Sequence, residues 1–560
     1  MAIFHSRNCA LLRVFMLVGI LQLSFAGIAL GEPFDVREAT IDGIHNAIFT
    51  RLTTCREVVS SYMARIEAFN PTINAIIGLN SDALAIADEL DNQLALGNST
   101  GLLFCIPILL KDNYDATPMN TTGACLDMAG NKPTVDAPTV RAFKDAGAII
   151  LGKANLHELA LEGLSVSSLG GQTINPYDHT RTPGGSSGGT GAAIAANFAV
   201  FGTGTDTVNS LRSPAASNSL FSFRPTRGLL SRAGVVPIST TQDTVGAIGR
   251  SPKDLAVALT VMSSVGYDPA DNVTALIPPE VMGKDYTVAV RGGSLGGVRL
   301  GLIQGFFNHT ASNETTPVNE AMAKMITLLK GAGATIVNVT ESIYNAAAIS
   351  AALDVQAYEY RETLNAYLAG PNLTGTRPAS FGDIYSSGKF VVIRSQYNFI
   401  NSSARSSTGN STYFVAQRGI TNLTAAVHAT FQKHQLDALI YPEQKNLVVK
   451  IGAPSQSGRN GILAALTGCP VTVVPAGFSP PSDDAPIGVP IGMEIFGLPW
   501  TEDKLLNIAQ HVSELAPIRR MPVFANGTGE VTASYEEVPI ITPNRGNILA
   551  AYPVGKLSTP

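Results

Sequence analysis

The sequence predicts an α/β protein: one large body built on a β-sheet with helices over both faces. Two observations carry that expectation. Apolar runs of strand length recur along the chain, and several are separated by amphipathic stretches that end in glycine, the alternation a covered sheet requires. The composition, 45% hydrophobic and 14% charged over 560 residues, supplies the apolar surface for a large core. A net charge of -5 and the lack of a basic stripe argue against a nucleic-acid partner.

The first residues differ from the rest. His5, Arg7 and Arg13 lead into the apolar run Val14 to Leu30, which is broken only by Gly19, Gln22, Ser24 and Gly27. With small residues at Ser24, Ala26, Ala29 and Gly31, this is the layout of a secretory signal peptide over residues 1–31, cut between Ala26 and Glu32. An uncleaved anchor is the competing reading, since the run just reaches membrane-spanning length. Asn-X-Ser/Thr sequons follow at Asn98, Asn120, Asn272, Asn308, Asn313, Asn338, Asn372, Asn401, Asn410, Asn422 and Asn526. Behind a leader they point to a eukaryotic secretory route and an extracellular location, with some of them expected to be buried and unmodified. Cys55, Cys105, Cys125 and Cys469 remain after loss of Cys9, which permits two disulfides and leaves the pairing open. No CxxC and no His/Cys cluster of ligand spacing occurs, so neither metal nor cofactor is expected.

Each element has its own sequence signal. In TCREVVSSYMARIEAF, Thr54 and Glu57 form a capping box, and Val58, Tyr62 and Ile66 fall on one helical face. The run Leu102 to Leu110, interrupted only by Pro107, reads as a buried strand that delivers Lys111-Asp112 at its tip. TVRAFKDAGAIILGK (139–153) reads as helix, glycine stop, strand. The pattern returns in VRLGLIQ (298–304), the helical run Val318 to Lys330, Gly331-Ala-Gly333 and ATIVNV (334–339). Residues 32–520 read as one domain, and 521–560, which has no periodicity, as a tail packed on or near it.

The densest chemical signal is RTPGGSSGGTGAAIAANFAVFGTGTDTVNSLRSPAA, residues 181–216. Its glycines permit close backbone approach around Ser186, and the small-residue run Gly191 to Ala199 suits a tightly packed helix. A flexible linker would not lead into an alanine-rich apolar helix and a second Ser/Thr turn. This segment resembles the amidase signature, GGSSGG followed after about a dozen small residues by GTDxGGSxRxPAA. Further matches occur in order at CIPILLKDN (105–113), GKANLHELA (152–160), INPYD (174–178), FRPTRGLLSRAGVVP (223–237), LIYPE (439–443), TGCPVTVVPAG (467–477) and PIGMEIFGLPWTEDKLL (490–506).

That resemblance implies a large mixed, twisted sheet and a hydrolase that cleaves a non-peptide carbon–nitrogen amide bond through an acyl-enzyme. It implies a catalytic lysine at Lys111, a bridging serine after a cis peptide bond at Ser186, and a nucleophile at Ser210. Asp206 and Arg212 match the pair flanking the nucleophile loop. Backbone N–H groups of Thr207, Val208, Asn209 and Ser210 match the oxyanion hole. The chemistry is coherent on its own: a lysine serves as base only when neutral, so its pKa must fall from ~10.4 to near 7, a cost of ~4 kcal/mol in desolvation or positive-charge repulsion. The end of a buried apolar strand is where that can happen. Val208-Asn209 replaces the usual Gly-Gly, so the turn is expected to keep negative φ, with Val208 adding bulk to the substrate site and Asn209 offering it an extra hydrogen bond.

Other readings compete. Gly184-Gly-Ser186-Ser-Gly188 fits an α/β-hydrolase elbow, with His428 or His434 and Asp437 as partners, but polar INPYDHTRTP is no strand. An inactive, ligand-binding glycoprotein stays open through Val208-Asn209. Family members cleave fatty amides, peptide C-terminal amides, small diamides, cyclic amides and some esters, and one branch transfers amide groups on charged tRNA, a role the leader disfavours. The expected partner is a small-molecule amide, with a homodimer left open, for a secreted, fungal-type member that does not stay in the membrane once the leader is removed.

Overall fold

The computed structural model describes residues 34–98, 100–527, 535–552 and 554–555. The signal-peptide expectation falls on residues 1–31, outside the described residues. Among the described residues no helix is long and apolar enough to cross a membrane.

The capping box forms as the sequence requires. Thr54 accepts the Glu57 N–H at 3.1 Å while Glu57 accepts the Thr54 N–H at 3.0 Å, starting helix α1 (Cys55–Ile73), whose Val58, Tyr62 and Ile66 are buried. The helix–glycine–strand pattern is equally direct. Helix α2 (Pro138–Asp145) stops at Gly147, which takes φ +88, and the chain turns into a strand over Ala148–Ala154.

Eleven strands make one mixed sheet: β1 (Ile76–Leu79), β2 (Ile106–Lys111), β3 (Ala148–Ala154), β4 (Phe201–Asp206), β5 (Phe221–Arg224), β6 (Thr244–Gly249), β7 (Arg299–Ile303), β8 (Thr335–Val339), β9 (Ala438–Pro442), β10 (Val471–Phe478) and β11 (Pro490–Phe496). In space they run β1-β3-β2-β4-β6-β5-β10-β11-β9-β7-β8. Strands β3-β2-β4 and β9-β7-β8 are parallel, and the pairs between them are antiparallel. Every residue of β2, β3, β4 and β6 is buried, so both faces of the sheet are covered there.

Three local expectations shift. Strand β2 begins at Ile106 rather than Leu102, because Phe104 N–H and Ile106 N–H close turns onto Gly101 and Leu103, leaving Leu102 exposed. The small-residue helix is α3 (Gly188–Ala195), which ends early because Asn197 takes φ +61. Among the described residues one disulfide forms, Cys55–Cys105, while Cys125 and Cys469 are buried free thiols. None of the eleven sequon asparagines is buried: nine are exposed, and Asn308 and Asn401 are half-buried. The described C-terminal residues lie on the body. Arg65 donates to the carbonyls of Ala525 and Gly527, Tyr552 is buried, and Val554–Gly555 pairs with Phe390–Val391.

Candidate active site

Strands β2 and β4 are parallel neighbours, Ile108 opposite Phe201 and Leu109 opposite Gly202, so their C-terminal ends share one edge. Lys111 ends β2, and the turn 207–210 follows β4. Lys111 is fully buried, and no ion pair reaches it among the described residues. Its Nζ donates to Ser186 Oγ at 2.7 Å and to Thr205 Oγ1 at 2.8 Å. Burial pulls its pKa down to about 7, outweighing the upward pull of Asp206 and Asp243. Burial at the end of an apolar strand is the physical cause of that depression.

Ser186 follows a cis peptide bond from Gly185, and its carbonyl accepts the His157 N–H at 3.0 Å. The next residue, Ser187, donates its N–H to the Ser210 carbonyl at 3.3 Å, tying the two serine turns together. Ser210 Oγ makes no hydrogen bond among the described residues, and Ser210 lines a cavity of about 390 Å³. Lys111 and Ser186 are thus joined directly, while Ser210 meets them through backbone and faces open space.

The turn before Ser210 is braced from beneath. Asp206 accepts the Leu211 N–H at 3.0 Å and is flanked by Arg212 and Arg224; burial raises its pKa, but the two guanidinium groups outweigh this and hold it down at about 2. Arg212 lies at the start of helix α4 (Arg212–Ser217); it also takes both oxygens of Glu494 at 2.9 Å and donates to the carbonyls of Val208 and Gly461. Gly461 has to be glycine, since a Cβ there would sit 2.4 Å from Asn209 Cβ. With its carbonyls held inward, the turn leaves four successive N–H groups, Thr207 to Ser210, without an acceptor among the described residues. Neither Val208 nor Asn209 takes positive φ, so the turn forms without glycine.

Val208 lines the cavity beside Ser210. Asn209 does not. Its side chain turns into the protein, where Nδ2 donates to Glu443 Oε1 at 2.8 Å, so the expected hydrogen bond to substrate is replaced by an internal one. Burial, and then Glu494, pushes the Glu443 carboxyl up to about 8.

The elbow reading fails on geometry. Ser186 Oγ is engaged by Lys111, His434 pairs with Glu341 at 2.7 Å, and Asp437 pairs with Lys504 at 2.9 Å. Sequence reasoning missed Thr205, Asn113 (Nδ2 to Thr205 Oγ1, 3.1 Å), Glu443, Glu494, and Asp243, which accepts the Thr207 hydroxyl at 2.7 Å. One signal was present: Glu443 directly follows one apolar strand segment and Glu494 lies inside another, and a buried acid needs a partner.

The amidase family model matches residues 57–506. The chain belongs to the amidase family. A probable amidase of Arabidopsis thaliana is 31% identical over 518 residues, covering 90% of this chain and 94% of that protein. A glutamyl-tRNA(Gln) amidotransferase subunit from Microcystis aeruginosa is 31% identical over 507 residues, covering 87% of this chain and 100% of the other. The native peptide amidase from Stenotrophomonas maltophilia superposes with a TM-score of 0.76 at 32% identity, covering 87% of this chain and 99% of the other. Family and structural neighbours together mark an amide-hydrolysing enzyme built on the amidase fold.

Proposed function

We propose that this amidase hydrolyses a carbon–nitrogen amide bond outside polypeptide backbones, with Ser210 as nucleophile, Ser186 as proton relay and Lys111 as base. The observation that carries this reading is Lys111: fully buried, without an ion pair among the described residues, with a pKa drawn down to about 7, and 2.7 Å from Ser186 Oγ. Neutral Lys111 keeps one N–H on Thr205 and takes the Ser186 proton as Ser186 takes that of Ser210. Ser210 Oγ then attacks the carbonyl carbon, and the negative oxygen collects N–H groups from the 207–210 turn. The C–N bond breaks as the amine leaves with the relayed proton. Water, deprotonated along the same path, cleaves the acyl-enzyme and restores Ser210.

The test is a panel of amides with Ser210→Ala, Ser186→Ala and Lys111→Ala. Ser210→Ala is expected to abolish turnover, and the other two to cost on the order of 10²-fold or more. Near wild-type turnover in Ser210→Ala refutes the assignment. Turnover that is absent on every amide, in wild type as well, favours the ligand-binding reading instead.

Export is part of the same proposal. The leader-like residues 1–31, eleven sequons with none buried, and the Cys55–Cys105 disulfide all support passage through an oxidising secretory route. Glycosidase treatment of the native protein is expected to lower its mass, and its N-terminus to lie between Gly27 and Glu32. A mature chain that begins at Met1 and loses no mass contradicts export.

A further inference from the structure

The cavity beside Ser210 contains a cation that nothing among the described residues neutralises. Among the described residues, the lysines without an ion pair fall into two groups. Lys132, Lys253, Lys324, Lys330 and Lys450 are exposed and solvated by water. Only Lys111 and Lys445 are withdrawn from it. Lys111 has a chemical reason to be uncharged and two hydroxyl partners. Lys445 has neither.

Lys445 is half-buried and lines the cavity with Ser210 and Val208. The other charged groups in that cavity are already engaged. Glu162 pairs with Arg459 at 3.3 Å and accepts the Gly163 N–H at 2.9 Å. Asp354 accepts the Gln356 amide nitrogen at 2.9 and 3.0 Å and its backbone N–H at 3.1 Å. Burial lowers the Lys445 pKa, and no nearby carboxylate pulls it back. A partly desolvated ammonium with no partner is an unfavourable arrangement in the empty site, and an anion that arrives with the substrate removes the penalty.

We infer that Lys445 binds an anionic group of the substrate, so that the amide cleaved here carries a carboxylate. The inference rests on the amide-hydrolase reading above and narrows it. Lys445 acts on binding rather than on the reacting atoms, and its effect belongs in KM.

Two matched pairs of amides test it and locate the carboxylate. N-acetylphenylalanine against N-acetylphenethylamine places the carboxylate on the amine side. Glutaramic acid against butyramide places it on the acyl side. In one pair the acid is expected to exceed its neutral partner in kcat/KM by roughly tenfold or more, through a lower KM. Lys445→Met is expected to collapse that ratio, and Lys445→Arg to restore most of it. Equal kcat/KM for acid and neutral members in both pairs overturns the inference, as does a preference that survives Lys445→Met. Calorimetry on Ser210→Ala protein separates the two levels of argument. Saturable binding of either acid, lost in the Ser210→Ala, Lys445→Met double variant, with no turnover of any amide by wild type, removes the hydrolase and keeps the carboxylate site. Absence of both turnover and binding removes both.

Discussion

Lys111→Met replaces a buried amine with an apolar chain of similar length, and its effect can be worked from the structure. In the unfolded chain Lys111 has its ordinary pKa of 10.5; in the fold it is held at about 7. Between those values the unfolded state binds the extra proton, so stability from this group is fully present above pH 10.5 and is lost as pH falls to 7. Three and a half pH units at ~1.36 kcal/mol each make that loss about 5 kcal/mol. Methionine escapes it but leaves Ser186 Oγ without its donor, at about 1 kcal/mol, while Thr205 Oγ1 keeps the Asn113 amide as donor. The variant is therefore expected to be inactive and more stable than wild type at pH 7, by about 4 kcal/mol. Equilibrium urea unfolding at pH 7 and pH 9 measures both terms, because the gap is expected to narrow by about 3 kcal/mol as wild-type Lys111 sheds its penalty. A variant less stable than wild type at pH 7, or a gap unchanged between the two pH values, refutes a neutral buried Lys111.

Further outcomes follow from the same geometry. kcat/KM on any cleaved amide is expected to rise about tenfold per pH unit below 7 and level off above it, as Lys111 loses its proton; a flat profile there removes lysine as the base. Thr205→Val takes away the acceptor that turns a Lys111 N–H from Ser186, so kcat is expected to fall about tenfold with KM little changed. Glu443→Gln keeps the acceptor for Asn209 and removes a carboxyl that must stay protonated; because that carboxyl is held above its unfolded value of 4.5, wild type loses stability from there up to about pH 8, and the variant's melting temperature is expected to fall less between pH 5 and 8. Asn209→Ala unhooks the turn from Glu443 and is expected to lower kcat without weakening binding, whereas faster or unchanged turnover shows that the internal hydrogen bond has no role.

The residues the sequence made legible are those whose signal is local. Thr54 and Glu57 lie three apart and cap one helix; Gly147 ends α2 before β3; Ile106 to Leu110 demand burial and leave Lys111 at the tip. The candidate site was legible to the extent that Ser186, Asp206 and Ser210 lie in one segment and the family resemblance supplied Lys111, which the fold joins to Ser186. What stayed hidden crosses long stretches of chain. Asn209 could be placed in the turn but not aimed, because its partner Glu443 lies 234 residues on. Arg212 reaches Glu494 across 282 residues. Lys445 carried no motif at all; its meaning comes from what the fold fails to place beside it.

The sheet order has a consequence for how the chain is made. Strands β1 to β6, residues 76–249, form one block, and β7 to β9, residues 299–442, form another. Among the described residues no ladder joins these blocks directly: β10 and β11, residues 471–496, stand between β5 and β9, β10 pairing with β5 and β11 with β9. A ribosome thus delivers Lys111, Ser186 and Ser210 long before it delivers the seam that unites the sheet and the Glu494 that completes the brace on Arg212. A chain that paired these blocks before β10 and β11 arrived would carry two open sheet edges, β5 and β9, a state that invites pairing with the wrong partner. Slowed translation before residue 471, or substitutions that weaken β10 and β11, would lengthen the interval and lower the yield of soluble protein without touching any residue of the site.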